Sequence, residues 1–436
     1  MCVVSLPSTM KTITIVGLGY VGLPLACLCA EKGLKVYGLD VDKNRVELIN
    51  KGTSPIEDEY LISKLKNLKE NIHATSDASE CIPNSEAVIV CVPTPIDRNN
   101  SPDLTTLMES AAAISKCIKQ NALLVIESTI YPGTVEEIVI PILKKQKFDA
   151  YKNDIFVAHC PERIDPGNKK WTIENLPRVV GGITKEAAKK ASEFYRRIIQ
   201  ADILELSSIK AAEATKIMEN TFRDINIAFV NEMAQSFDRA GIDITEVIKG
   251  ASTKPFAFMP HYPGAGVGGH CIPVDPYYLI EKAQQIGFNH KFLRLAREIN
   301  NNMPHYTIEL LENELKKLKK PIKGAKVGVL GLAYKANVDD IRESPSFEII
   351  NILKAKNADV FVFDPHVMRG SSVKDLDELL NKSDYIILAT DHREFRNMDL
   401  NNLKKHKILA VIDGRNCLDK EKIKSMGILY HGIGRS

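Results

Sequence analysis

Residues Thr12 to Asp40 read TITIVGLGYVGLPLACLCAEKGLKVYGLD. The run opens on apolar and β-branched residues, Thr12 to Val16, the pattern of a buried strand. It passes into Gly17-Leu18-Gly19-Tyr20-Val21-Gly22, a G-x-G-x-x-G turn. A helical stretch follows over Pro24 to Lys32, with Gly33 placed to stop it. A second strand, Lys35 to Leu39, ends at Asp40, 18 residues after Gly22. Strand, turn, helix and strand make a βαβ unit. In that setting the glycines let the backbone approach a pyrophosphate, whose charge the helix N-terminus favours. Asp40 stands where an acid accepts from the adenosine ribose hydroxyls and repels a 2′-phosphate, so NAD is expected over NADP. Gly17, Gly19, Tyr20, Val21, Gly22 and Asp40 are the expected cofactor-binding residues. Arg45 either approaches the adenosine side or lies on a solvated helix face.

The same grammar continues outward. Ala87 to Val92, Ala122 to Ile126 and Ile155 to Ala158 read as strands, and Leu104 to Ile118 as a helix. Their carboxyl ends carry polar or Pro-rich breaks, Pro93-Thr94-Pro95, Glu127-Ser128-Thr129 and His159-Cys160-Pro161-Glu162. Alternating strands and helices predict a doubly wound, largely parallel sheet. From about Ser207 the texture changes. Ala211 to Arg239 holds no Pro or Gly over 29 residues, a long helix suited to a spine between domains or a dimer interface. Tyr277 to Gln285 and Phe292 to Lys319 read as further helices. At Lys326 to Leu330, followed by Gly331, the sheet grammar restarts. Strands at Val360 to Phe363, Tyr385 to Ala389 and Ile408 to Ile412 and a helix at Pro345 to Lys356 complete it. The expected fold is α/β, two Rossmann-like doubly wound domains joined by a long central helix. The expected domains are residues 1–205 (cofactor), 206–318 (connector and dimerisation) and 319–436 (substrate).

Lys plus Arg total 58 and Asp plus Glu 55, a net charge of +3, which leaves no bulk charge for nucleic-acid or membrane binding. The 44% hydrophobic content suffices for sizeable cores. Nine scattered cysteines with no CxxC pair point to free thiols in a reducing cytosol. No secretory signal or membrane span is legible, so a soluble cytoplasmic protein is expected.

Two further clusters carry chemistry. Gly264-Ala265-Gly266-Val267-Gly268-Gly269-His270-Cys271 places four glycines before one cysteine, with Asp275 four residues on. Cys271 is either a nucleophile, acting as its thiolate, or a structural thiol in a flexible connection. Zinc fits poorly, since His270 and Cys271 are adjacent and lack ligand spacing, and no metal is expected. On the long helix, Lys216 and Asn220 are at i, i+4 and share a face. That face could offer an ammonium and an amide to one reacting centre, although an isolated lysine there reads as solvated.

Together these pieces resemble the UDP-glucose/GDP-mannose dehydrogenase family of nucleotide-sugar 6-dehydrogenases. The resemblance runs through GLGYVG, Val92 to Pro95, Glu127 to Thr129, Cys160 to Arg163, the Lys216/Asn220 helix, Gly264 to Asp275, and Tyr334-Lys335 through Arg342-Glu343-Ser344. It implies a four-electron oxidation of a sugar C6 alcohol to a carboxylate with two NAD. Cys271 would capture the aldehyde as a thiohemiacetal, and the resulting thioester would be hydrolysed. By position the resemblance gives Lys216 and Asn220 to the oxyanion and Asp275, with Lys216, to the water. It sets Thr129 and Glu162 near the reacting carbon, with Glu162 in the hydrolytic step. It puts Pro93, Thr94 and Ser128 on the nicotinamide side and Arg342 at the pyrophosphate. Substrate contacts would come from Glu162, Arg163, Lys216, Asn220, Phe258, Tyr262, Gly268, Tyr334, Lys335 and Arg415.

Arg163 to Asn168 and His261 to Gly264 look more like the UDP-N-acetylglucosamine branch than the UDP-glucose branch, with UDP-N-acetylmannosamine the near alternative. The resemblance further implies a homodimer and a product that feeds surface polysaccharide or glycan synthesis. Two rivals stand beside this reading. One is a two-electron hydroxyacid-type dehydrogenase, which needs no nucleophile. The other is a non-catalytic NAD sensor.

Overall fold

The computed structural model describes residues 10–56, 58–97, 99–164, 168 and 170–436. Asp165, Pro166 and Gly167, part of the stretch weighed for the sugar, lie outside the described residues. The chain divides into two compact units, Met1–Glu219 with Tyr277–Gly287, and Asn220–Pro276 with Phe288–Ser436. The division falls within the long helix, which spans Ile209–Arg239, 31 residues.

The first unit holds eight strands: β1 (Thr12–Val16), β2 (Lys35–Leu39), β3 (Ile72–Thr75), β4 (Ala87–Val90), β5 (Leu123–Ile126), β6 (Phe156–His159), β7 (Arg178–Gly182) and β8 (Ile203–Glu205). Their order is β3-β2-β1-β4-β5-β6-β7-β8. All neighbours are parallel except β6 and β7, which run antiparallel. β4 (AVIV) and β5 (LLVI) are buried at every position, as strands covered on both faces must be. The chain order reverses between β1 and β4, the place where open α/β sheets take ligands beyond the strand carboxyl ends. The first helix starts at Gly22, two residues before Pro24, because carbonyls of the turn already accept helical bonds, from Leu23 N to Gly19 O at 3.1 Å and from Leu25 N to Val21 O at 3.3 Å. Strands β3, β7 and β8 escaped the sequence reading. Each is only three to five residues long, and β8 leaves two of its three residues exposed.

The second unit has a five-stranded parallel sheet of β9 (Lys326–Leu330), β10 (Asp359–Phe363), β11 (Tyr385–Leu388), β12 (Ala410–Asp413) and β13 (Leu429–Gly432), ordered β10-β9-β11-β12-β13. Its first turn repeats that of the other unit. Gly17 (φ +88°) donates to Leu39 O at 2.8 Å, and Leu18 N to Asp40 Oδ2 at 2.8 Å. Gly331 (φ +98°) donates to Phe363 O at 2.9 Å, and Leu332 N to Asp364 Oδ2 at 2.6 Å. The carboxylates then part company. Asp364 also accepts from Ala333 N, His366 N and Val367 N and pairs with His392 Nε2 at 3.0 Å, so its acceptor sites are consumed internally. Burial pushes this acid up, but His392 and the two turn amides outweigh it and bring it down to about 2.

Candidate active site

The first unit builds a dinucleotide cradle at the β1–β4 reversal. A Cβ on Gly17 would stand 2.9 Å from Cys91 O, and one on Gly22 only 1.9 Å from Gly17 O. A Cβ on Gly19 would meet no atom within 4 Å, so that glycine keeps the outer side of the turn open. Tyr20 is half exposed beside it, and Val21 immediately precedes the helix. Asp40 is 7% exposed. Its Oδ2 accepts from Leu18 N and from Arg45 Nη1 at 3.0 Å, while Oδ1 accepts only Asp42 N at 2.9 Å among the described contacts. A lone pair on Oδ1 is thereby left for a ribose hydroxyl. These residues fit NAD: turn, helix N-terminus and acid are all present. Arg45 is neither a bare solvated residue nor turned from the acid, because it is paired to Asp40. NAD is therefore expected to be preferred to NADP by at least about tenfold in kcat/KM, 1.4 kcal/mol or more. Asp40→Ala, which frees Arg45, should narrow the ratio. Steady-state kinetics with both cofactors checks it, and an unchanged ratio in the variant would remove Asp40 from the role.

Strand ends of the same unit collect the next group. Thr94 Oγ1 donates to Thr129 O at 2.6 Å, and Tyr278 OH to Thr94 O at 2.5 Å, so these loops are tied to each other. Pro93 is exposed and Thr129 half-buried. Ser128 faces inward: its hydroxyl donates to Val92 O at 2.7 Å, which makes it a brace for the loop rather than an open ligand. Glu162 is buried, with Oε1 accepting Arg163 N and Ile164 N, both at 2.6 Å, and Oε2 2.7 Å from Arg178 Nη2. Arg163 is held by Glu219 (2.6 Å) and Pro177 O (3.1 Å). Lys216 is half-buried, and its charge reaches His159. Burial first, then that ammonium, depress the His159 imidazole to about 3, so it is neutral at pH 7 and adds no repulsion to Lys216.

The second unit arranges the cysteine loop. Asp275 N donates to Cys271 O at 2.8 Å, and Asn220 Nδ2 donates to Asp275 Oδ2 at 2.6 Å. Thus Asn220 is brought to the carboxylate of Asp275, 55 positions on, and Asp275 is joined through main chain to Cys271, four residues before it. The loop before it is pinned by main chain: Gly264 N to Asn231 Oδ1 at 3.0 Å, Ala265 N to Gly414 O at 3.0 Å and Gly269 N to Arg342 O at 2.9 Å. Its glycines are required by packing. A Cβ on Gly268 would lie 2.6 Å from Tyr334 Cβ, and one on Gly269 2.8 Å from the Tyr334 ring. Arg415 spans the neighbouring loops through Nε to Ala389 O (2.9 Å) and Nη2 to Tyr334 O (3.3 Å). Lys335 is half-buried next to Tyr334, Phe258 packs on the unit's core, and Tyr262 is 65% exposed. Arg342, expected at a pyrophosphate, forms a bidentate pair with Asp340 two residues away, Nε to Oδ1 at 2.9 Å and Nη2 to Oδ2 at 2.5 Å.

Several residues without a role in the sequence reading now matter, Glu127 among them although its stretch is noted there. Asn231 anchors Gly264, and Arg178, Glu127 and Tyr195 surround Glu162 or its partner. One signal was available. Arg178 opens the otherwise apolar strand RVVGG, and a charge in a buried strand needs a partner.

Comparisons with known proteins agree with this division of labour. The model for the UDP-glucose/GDP-mannose dehydrogenase family, NAD binding domain, matches residues 11–199. The central domain of that family matches 210–302, and its UDP binding domain 328–420. The UDP-N-acetyl-D-mannosamine dehydrogenase of Methanococcus maripaludis strain C7 is 39% identical over 437 residues, covering 98% of this chain and 97% of the relative. The UDP-N-acetyl-D-glucosamine 6-dehydrogenase of Pseudomonas aeruginosa is 39% identical over 404 residues, 90% of this chain and 93% of the relative. The solved UDP-D-ManNAc dehydrogenase of Pyrococcus horikoshii superimposes with a TM-score of 0.91 at 34% identity, over 98% of this chain and 99% of that one. The Gly turn with its acid and the cysteine loop therefore sit in the matched NAD-binding and central segments, and the chain belongs to the UDP-glucose/GDP-mannose dehydrogenase family, as an NAD-dependent dehydrogenase.

Proposed function

We propose that the protein oxidises the C6 alcohol of a UDP-N-acetylhexosamine to the uronic acid, releasing two NADH per sugar. The observation that carries this reading is Cys271 in its glycine loop, tied through its carbonyl to Asp275 N while Asn220 holds the Asp275 carboxylate, because a single two-electron oxidation needs no nucleophilic thiol. NAD, when bound at the cradle, supplies the hydride acceptor for both oxidations. Lys216 offers positive charge to the oxygen of the reacting carbon, and Asn220 keeps Asp275 oriented. The Cys271 thiolate adds to the C6 aldehyde, forming a C–S bond and an alkoxide that Lys216 stabilises. Loss of a second hydride turns this thiohemiacetal into a thioester. Water, engaged by Asp275 and by Glu162 and Thr129 in the roles the family resemblance gives them, then breaks the C–S bond, returning the thiol and releasing the carboxylate. The sum is one alcohol, one water and two NAD consumed, and one carboxylate, two NADH and three protons formed.

N-acetylglucosamine is favoured over glucose by the stretches Arg163 to Asn168 and His261 to Gly264. N-acetylmannosamine is favoured by the names of the methanococcal relative and the Pyrococcus structure. A panel of UDP-glucose and both UDP-N-acetylhexosamines, each with NAD, separates the readings. The expected outcome is turnover of one acetamido sugar with two NADH per acid formed. One NADH per sugar would place the protein with two-electron dehydrogenases, and no turnover of any sugar would leave only a cofactor sensor. The reading includes a soluble cytoplasmic homodimer. Its cytoplasmic placement rests on the scattered cysteines without disulfide-like spacing, and its dimer on the long helix with its exposed Phe222 and Phe229. No helix among the described residues is long and apolar enough to cross a membrane.

A further inference from the structure

Behind Glu162 lies a buried cluster in which, among the described residues, two carboxylates share one guanidinium. The Arg178 side chain is fully buried, with Nη2 2.7 Å from Glu162 Oε2 and Nη1 3.5 Å from Glu127 Oε2. Glu127, at the carboxyl end of β5, is 1% exposed. Its Oε1 accepts the Tyr195 hydroxyl at 2.5 Å. One guanidinium thus serves two buried carboxylates, and with both ionised the group carries a net negative charge away from water, a costly state. Sharing one proton relieves it.

The partners decide where that proton rests. Glu162 faces only donors: a guanidinium and the amides of Arg163 and Ile164. None of these can accept, so a proton on Glu162 would break a bond. Glu127 faces a phenol, which can rotate from donating to accepting when the carboxyl is protonated. The other groups facing Glu127 are the thiols of Cys29, Cys91 and Cys160, all pushed up by burial and therefore neutral. Burial raises Glu127, Arg178 pulls it partly back, and the balance leaves it titrating at about 7.

We propose that Glu127 is a positioning residue that holds a proton and, through Arg178, sets how tightly the guanidinium grips Glu162. When Glu127 is protonated, Arg178 is committed to Glu162. When Glu127 ionises, the guanidinium is drawn between the two carboxylates, and its hold on Glu162 loosens, which frees that carboxylate to engage the attacking water. Release of the acid product therefore accelerates as pH rises past the Glu127 midpoint. This rests on the role given to Glu162 above.

The test is the pH profile of kcat for the full-length protein with NAD and its turned-over UDP-sugar, together with infrared titration of the buried carboxyl. The parent should show a rising limb centred near 7 and a protonated carboxyl band that vanishes over the same range. Glu127→Gln should lack both and run at high pH roughly tenfold below the parent, since its Arg178 stays committed to Glu162. Glu127→Asp should restore the limb, and Tyr195→Phe, which loses a bond to the carboxylate, should move it upward. KM should change little in all three. A Glu127→Gln profile of parental shape, merely scaled, would overturn the coupling, as would a parent with no carboxyl band titrating near 7. Glu162→Gln turning over like the parent would instead remove the role of Glu162. The infrared band would then still report whether Glu127 holds the proton.

Discussion

Cys271→Ser is expected to bind NAD like the parent and to release no acid. The proposed sequence needs sulfur twice, as a nucleophile at neutral pH and as a leaving group from the thioester. A serine hydroxyl, far less acidic than a thiol, serves poorly in both. The loss in acid formation should be on the order of 10⁶-fold, the scale seen when a covalent enzyme loses its nucleophile. At most one NADH per site should appear, from the first hydride transfer. The fold should survive, because Cys271 is tied to its neighbours through its carbonyl, which accepts Asp275 N and Val274 N, and serine keeps both bonds. Quench-flow counting of NADH and acid reads the outcome. Acid formation at the parental rate would dispose of the covalent step.

The second large effect concerns two glycines of one motif that do different work. Gly22→Ala puts a methyl 1.9 Å from the carbonyl oxygen of Gly17, a main-chain atom that cannot swing aside. The turn must open and the helix must leave its place on β1. Overpacking of this kind should cost at least about 3 kcal/mol, lowering Tm by roughly 6–12 °C for a unit of about 200 residues. Gly19→Ala meets no protein atom within 4 Å and should melt like the parent without cofactor. Its methyl would stand on the outer side of the turn, so the rise in Tm on adding NAD should shrink. Thermal melts of both variants with and without NAD test the contrast. Equal melting of Gly22→Ala and parent would contradict the packing account, and an undiminished NAD shift in Gly19→Ala would move the pyrophosphate elsewhere.

The two glycines also show where sequence reading works. A βαβ unit is local: strand, turn, helix and acid lie within 29 residues, and the spacing of Gly17, Gly19, Gly22 and Asp40 is set by the turn itself. The second unit was legible for the same reason, down to Gly331 following β9. Short strands were not. β8 has three residues and β13 four, and their strand character comes from pairing with β7 and β12 rather than from a periodic pattern. The antiparallel turn of β7 beside β6 is likewise a matter of which edge was free.

From its sequence alone this protein could be read as two parallel-sheet units, an NAD turn with its acid, and a nucleophilic cysteine in a glycine loop. Each of those is a property of neighbours along the chain. Tertiary structure alone decided that Asp40 keeps a lone pair to offer while Asp364 is saturated by His392 and its own loop. It alone brought Asn220 to Asp275, 55 positions on, and set Arg178 between Glu127 and Glu162. Hydrogen bonds and charge depend on distance and burial, and at such separations the folded path sets both.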